Sequence, residues 1–205
     1  MPRRGPGVMH ASFFPPPGSE PDPSEHPPAP PWLHAPQDEL PARVLVREFL
    51  AQTPGTVLVV SHVDVYSVGI RIKVDWELRR VAGDTTDLQA VAFPGFRRGG
   101  GETGSVLRYG VALSNGRVVT TVDRDIHRSF TEEPDGWSLM DQMGGGGGDD
   151  SRYSGTSGLW LWPLPPAGPI ELVGEWGARG IGESRLILDG AELLSHVGDV
   201  RALWP

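Results

Sequence analysis

The chain contains no cysteine, which excludes disulfides, thiolate zinc sites and cysteine nucleophiles together. It has no basic run longer than the pairs Arg3-Arg4, Arg79-Arg80 and Arg97-Arg98, and its 18 Lys and Arg stand against 26 Asp and Glu, for a formal charge of −8 over 205 residues. A protein without a basic stripe lacks the counterion-release contribution on which most nucleic-acid binders depend, so nucleic acid is not an expected partner. No apolar segment of about 7–15 residues follows the first arginines, and no secretory signal is expected. The longest uncharged stretch, Tyr153 to Ile170, is interrupted by four prolines and cannot be a spanning helix. The expectation is a cytoplasmic protein that does not contact a membrane.

Proline is scarce over most of the chain, because 13 of the 21 prolines lie in residues 1–41. That stretch, with Pro15-Pro16-Pro17, Pro27-Pro28 and Pro30-Pro31 among polar residues, offers too little burial to offset chain entropy and favours extended polyproline conformers. It reads as a disordered tail in which Phe13, Phe14, Trp32 and Leu33 are the groups able to dock, on the domain itself or on a partner. Residues 42–205 form one domain, long enough to bury a core without metal or disulfides.

Within that domain the apolar pattern has a period of two. Ile70, Ile72, Val74, Trp76 and Leu78 alternate with Arg71, Lys73, Asp75, Glu77 and Arg79, which places apolar side chains on one face of a strand and charges on the other. Val44 to Leu50 and Thr56 to Tyr66 read as strands separated by Thr53-Pro54-Gly55, and Tyr66 to Gly69 as a tight turn. Leu107 to Leu113 and Arg117 to Val122 flank Asn115-Gly116, a hairpin signal of type I′ chemistry. The glycine run Gly144 to Gly148 reads as a mobile loop near residues 141–157, since glycine loses most entropy on ordering. Leu159 to Trp162, Ile170 to Trp176 and Ser184 to Leu188 complete the strands. Asp189 with Glu192 makes a capping box for a short helix, with Gly198 at its C′ position, and Val200 to Trp204 returns as a last strand. The expected fold is mainly β: an antiparallel β-sandwich, immunoglobulin-like or jelly-roll-like, with one short C-terminal helix.

Candidate chemistry is sparse. Gly99 to Gly104 matches G-x-G-x-x-G but precedes a strand rather than a helix, so a flexible connection is expected there and no nucleotide. His62 and Asp64, two apart on one strand face, could meet His127, Asp123 or Asp125 to hold a metal; the same residues are equally the polar face of a strand and a loop start. No cofactor is expected. Trp160, Trp162 and Trp176, with Trp32 of the tail, would stack on sugar rings or on a partner's prolines if exposed, and would be core if buried.

These motifs resemble a group of uncharacterised actinobacterial proteins. The likeness rests on Ser12 to Pro17, Pro30 to Trp32, Val63 to Gly69, the Gly-rich loop, Trp160 to Pro169 and Glu175 to Ile181, and it implies an architecture but no activity. The functional expectation is a non-enzymatic module that binds a protein or peptide through its tail or its tryptophan-rich edge. The alternative is a small hydrolase or metal-dependent enzyme using His62, Asp64 and His127.

Overall fold

The alternation over Ile70–Arg79 becomes the centre of the molecule. In a computed structural model, which describes residues 30–92, 106–122 and 132–205, Ile70, Ile72, Val74, Trp76 and Leu78 are all buried and their charged neighbours point away. The tail residues 1–29 with Phe13 and Phe14, the Gly99–Gly104 loop, and Asp123, Asp125 and His127 lie outside the described residues.

The strands, in chain order, are β1 (Glu39–Leu40), β2 (Ala42–Thr53), β3 (Thr56–Val65), β4 (Ile70–Arg79), β5 (Arg108–Leu113), β6 (Val118–Thr120), β7 (Ser138–Gly148), β8 (Arg152–Trp162), β9 (Pro169–Trp176), β10 (Ile181–Asp189) and β11 (Arg201–Ala202). Among the described residues two α-helices, α1 (Leu88–Ala92) and α2 (Gly190–Ser195), join them. The strands pair antiparallel into a five-stranded sheet β2-β3-β4-β8-β7, a four-stranded sheet β10-β9-β5-β6 and a ribbon β1-β11. The two larger sheets pack face to face as the expected sandwich, and their edges meet, β10 beside β2 and β6 beside β7.

Aliphatic side chains of both sheets fill the space between them, with an aromatic group at one end: Trp76 meets Trp176 edge-on at 5.8 Å and stacks on Tyr153 at 6.4 Å. Glycine supplies the room. A side chain at Gly155 would strike the Trp76 ring, and a Cβ at Gly174 would lie 2.7 Å from Leu50 Cδ2, so these strand glycines allow large neighbours to approach the backbone.

Four local expectations are corrected. Gly144 to Gly148 is not a loop but the second half of β7, paired with β8 through Gly148↔Tyr153; ladder hydrogen bonds offset the entropy of ordering glycine, and β8 lies too close for a side chain at Gly144 or Gly148. Gly116 alone of the Asn115-Gly116 pair has positive φ, and its N–H donates to Leu113 O. The turn is therefore a type I turn followed by a left-handed glycine, a common longer hairpin connection. Helix α2 is capped as expected at Asp189, whose carboxylate accepts from Ala191 N and Glu192 N, but it ends at His196, and Gly198 lies inside a following 3-10 turn.

The fourth correction concerns the tail. Residues 30–41 pack on the domain rather than remaining free. Pro30 to Leu33 is a hydrogen-bonded turn, Leu33 N donating to Pro30 O at 3.0 Å, and not an extended polyproline segment. Leu33 and Ala35 are buried, the Glu39 carboxylate accepts from Ser67 N and Oγ, and β1 pairs with β11. Two buried apolar side chains and the strand pairing order this end of the stretch, which composition averaged over 41 residues conceals.

Candidate functional site

Strand register assembles the outer face of the five-stranded sheet in rows, because directly paired residues share a face. One row runs Arg43, Asp64, Arg71, Trp160, Met140 across β2, β3, β4, β8 and β7; the next runs Leu45, His62, Lys73, Gly158, Gln142. A bulge at Ser61 in β3 puts His62 and Asp64 on this outer face while Val60 and Val63 both face the core.

Trp160 is completely buried, yet it points away from the sandwich core. The chain's own Pro30–Ala35 segment covers it. Trp160 Nε1 donates to Pro31 O at 2.9 Å, Gln142 Nε2 donates to Leu33 O at 2.8 Å, Trp32 meets Trp162 edge-on at 6.1 Å, and Tyr66 meets Trp160 edge-on at 5.5 Å. The expected tryptophan surface is thus divided. Trp160, Trp162 and Trp32 form an outer aromatic seat, whereas Trp176 belongs to the interior beside Trp76 and is corrected to core.

Beside the seat lies a charge cluster. Asp64, 2% exposed, accepts from Arg43 Nε at 2.8 Å, from Arg43 Nη2 at 3.3 Å and from Arg71 Nη2 at 3.1 Å. Burial alone raises the pKa of Asp64, but the hydrogen bonds from Arg43 and Arg71 outweigh it and hold the carboxyl below its ordinary value. Burial lowers the pKa of His62, whose Nε2 is 3.7 Å from Asp64 Oδ1. Arg71 also donates to the Tyr66 hydroxyl and lies over the Tyr66 ring, 5.2 Å from its centroid. Lys73, the only lysine in the chain, donates from Nζ to Thr156 Oγ1 at 2.8 Å.

Of the expected metal ligands, His62 and Asp64 are neighbours, and His127 is outside the described residues. Both Asp64 oxygens already accept from guanidinium groups, so a metal there would have to displace two arginines. Among the described residues no three His, Cys, Asp or Glu side chains are placed to share a metal. Arginine pinned by a buried carboxylate suits holding an anion rather than acid-base chemistry.

The outer face of the four-stranded sheet carries a furrow of about 470 Å³. Gly110, Ala112 and Val173 contribute to its lining, with Arg108 paired to Glu175 and Arg185 to Glu171 and Glu183. Both arginines are thus taken up by the three glutamates of the same face. On the inward face of the five-stranded sheet, Asp141 accepts from Ser157 Oγ at 3.3 Å while its Oδ1 is buried without a hydrogen-bond partner. Burial raises its pKa to about 6.

Sequence reasoning missed Arg43, Arg71, Lys73, Tyr66, Gln142 and Asp141. For Arg71 and Lys73 a signal existed, since alternation placed them on the solvent face of β4; their convergence with Arg43 and Gln142 depends on strand order. No family model, no curated protein and no solved structure matches the chain. No helix among the described residues is long and apolar enough to cross a membrane.

Proposed function

We propose that the protein is a non-enzymatic binding module that takes a protein or peptide partner on the outer face of its five-stranded sheet. One observation carries this reading: the Trp160 seat already holds a peptide, the chain's own Pro-Pro-Trp-Leu turn, through two side-chain donors aimed at main-chain carbonyls and one aromatic contact. Donors on the receptor and carbonyls on the bound segment are the division of labour of peptide recognition, with pockets for side chains adding selectivity. The buried Leu33 and Ala35 fill that second role.

The test separates a receptor surface from mere packing. In a Trp32→Ala, Leu33→Ser double variant the chain's own turn is weakened, and a synthetic peptide with the sequence of residues 30–37 is titrated in by calorimetry. Saturable binding is expected, weakened about fivefold by a further Trp160→Phe, which keeps the ring and removes the indole donor. A folded double variant that does not bind the peptide would show that the seat is only a place where the chain packs on itself.

A further inference from the structure

We infer that the cationic part of this face, Arg43 and Arg71 around Asp64 with Lys73 in the adjacent row, docks an acidic peptide segment of a partner protein. The inference rests on the binding-module reading and names its partner chemistry.

The sign of the site runs against the sign of the molecule. In a chain of formal charge −8, two guanidinium groups and His62 converge on a single carboxylate, and Lys73 stands in the adjacent row of the sheet, bonded to Thr156. Asp64 engages Arg43 through Nε and Nη2, which fixes that guanidinium plane, and Arg71 through Nη2, the same nitrogen that donates to the Tyr66 hydroxyl while the group lies over the Tyr66 ring. The remaining donors of each stay available to a second anion in a set geometry. The Arg43 side chain is 56% exposed and that of Arg71 32%, so both are reachable from solvent.

Two neighbours shape the approach. Gly158, between Lys73 and Gln142 in its row, has no side chain, and the stem of Arg71 passes over it, 3.4 Å from where a Cβ would stand. The guanidinium is thereby held down along the sheet. Tyr66 joins this cluster to the aromatic seat, touching Arg71 on one side and Trp160 on the other. A partner segment lying over the arginines would therefore run alongside Pro30–Ala35 and continue the surface already used.

A short acidic peptide fits this arrangement better than a nucleic acid. The local excess is small, and long-range repulsion from the acidic remainder of the protein grows with the charge of the ligand. A few carboxylates gain the local contacts with the least of that penalty.

Lys73 is the chain's only lysine and so a built-in reporter. Fluorescence anisotropy on the full chain would use a labelled twelve-residue peptide of alternating Glu and Pro, its Gln-Pro counterpart, and a twelve-nucleotide single-stranded DNA. The Glu-Pro peptide is expected to bind about tenfold or more tightly than the Gln-Pro peptide, to weaken on raising salt, and to slow acylation of Lys73 located by peptide mapping. Lys73→Glu and Arg43→Glu should each weaken it about tenfold while circular dichroism is unchanged. No binding of the Glu-Pro peptide, equal binding of the two peptides, equal or tighter binding of the DNA, or a folded Lys73→Glu of unaltered affinity would overturn the inference. If the residue 30–37 peptide still binds its weakened seat in that event, only the acidic specificity falls and the binding module stands.

Discussion

Asp64 and Asp141 occupy opposite faces of the same five-stranded sheet, and each has oxygen atoms removed from water, but their surroundings differ in kind. On the outer face Asp64 is enclosed by Arg43 and Arg71, and the charged form is favoured. On the inner face Asp141 has one hydroxyl partner, Ser157, near the buried Tyr109, and the neutral form is favoured. A buried carboxyl without a cationic partner moves its pKa up, and one held by guanidinium groups moves it down. The difference teaches what each face does: charge organises the outward side into a site, while the inward side is held together by apolar packing in which Asp141 is a flaw.

The largest effect should come from breaking that packing. Trp76 contacts both Trp176 and Tyr153 and lies against Gly155, so Trp76→Ala empties the aromatic end of the interior. Chemical denaturation should show a loss of about 3–5 kcal/mol. A near-neutral result would mean that the inner face does not depend on packing, and the contrast between the faces would fail.

The two aspartates should then give opposite pH signatures. Asp141 has a folded pKa of about 6, above its ordinary 3.8. The preference of the fold for its neutral form is thus fully present below about pH 4 and is lost as pH rises through 6. Asp141→Asn should abolish that decline, a gain on the order of 3 kcal/mol at pH 8 relative to the parent. Asp64 has a folded pKa below its ordinary value, so its contribution is present above about pH 4 and is lost as pH falls through the folded pKa. Asp64→Asn should destabilise at neutral pH, by roughly 2 kcal/mol for two charge-assisted partners, and converge with the parent in acid. Denaturation midpoints from pH 3 to 8 for both variants check the pair. Parallel curves would show that the two environments are not opposed.

Sheet organisation was legible wherever alternation ran long enough, as over Ile70–Arg79, because a period of two fixes which side chains are buried without knowledge of the neighbours. The Asp189 cap was legible because a capping carboxylate acts within three residues. The site was not. Arg43, Asp64 and Arg71 come together only because β2, β3 and β4 are adjacent, and Gln142 and Trp160 join them only because β8 pairs with β4 after a long excursion through the other sheet. Asp141 was hidden for a related reason, since it sits beside a glycine run that looks like a loop until β8 is seen to lie against it. The Pro30–Leu33 turn was masked by the prolines around it; what orders it is the seat made by strands more than a hundred residues later.

The smallest expected effect sharpens the comparison most, because it passes through the sheet. Lys73 lies on the outer face with one hydrogen bond, to Thr156, and Lys73→Ala should change stability by no more than about 0.5 kcal/mol, as for other partly exposed substitutions. Its positive charge nevertheless acts on Asp141 from the other side of the sheet, opposing the upward shift that burial causes. Removing the amine should leave that shift less opposed, so the Asp141 carboxyl should titrate at a higher pH in Lys73→Ala than in the parent, read from its carboxyl carbon resonance across a pH series. An unmoved titration would show that the two faces are electrically independent, with Asp141 governed by burial and Ser157 alone.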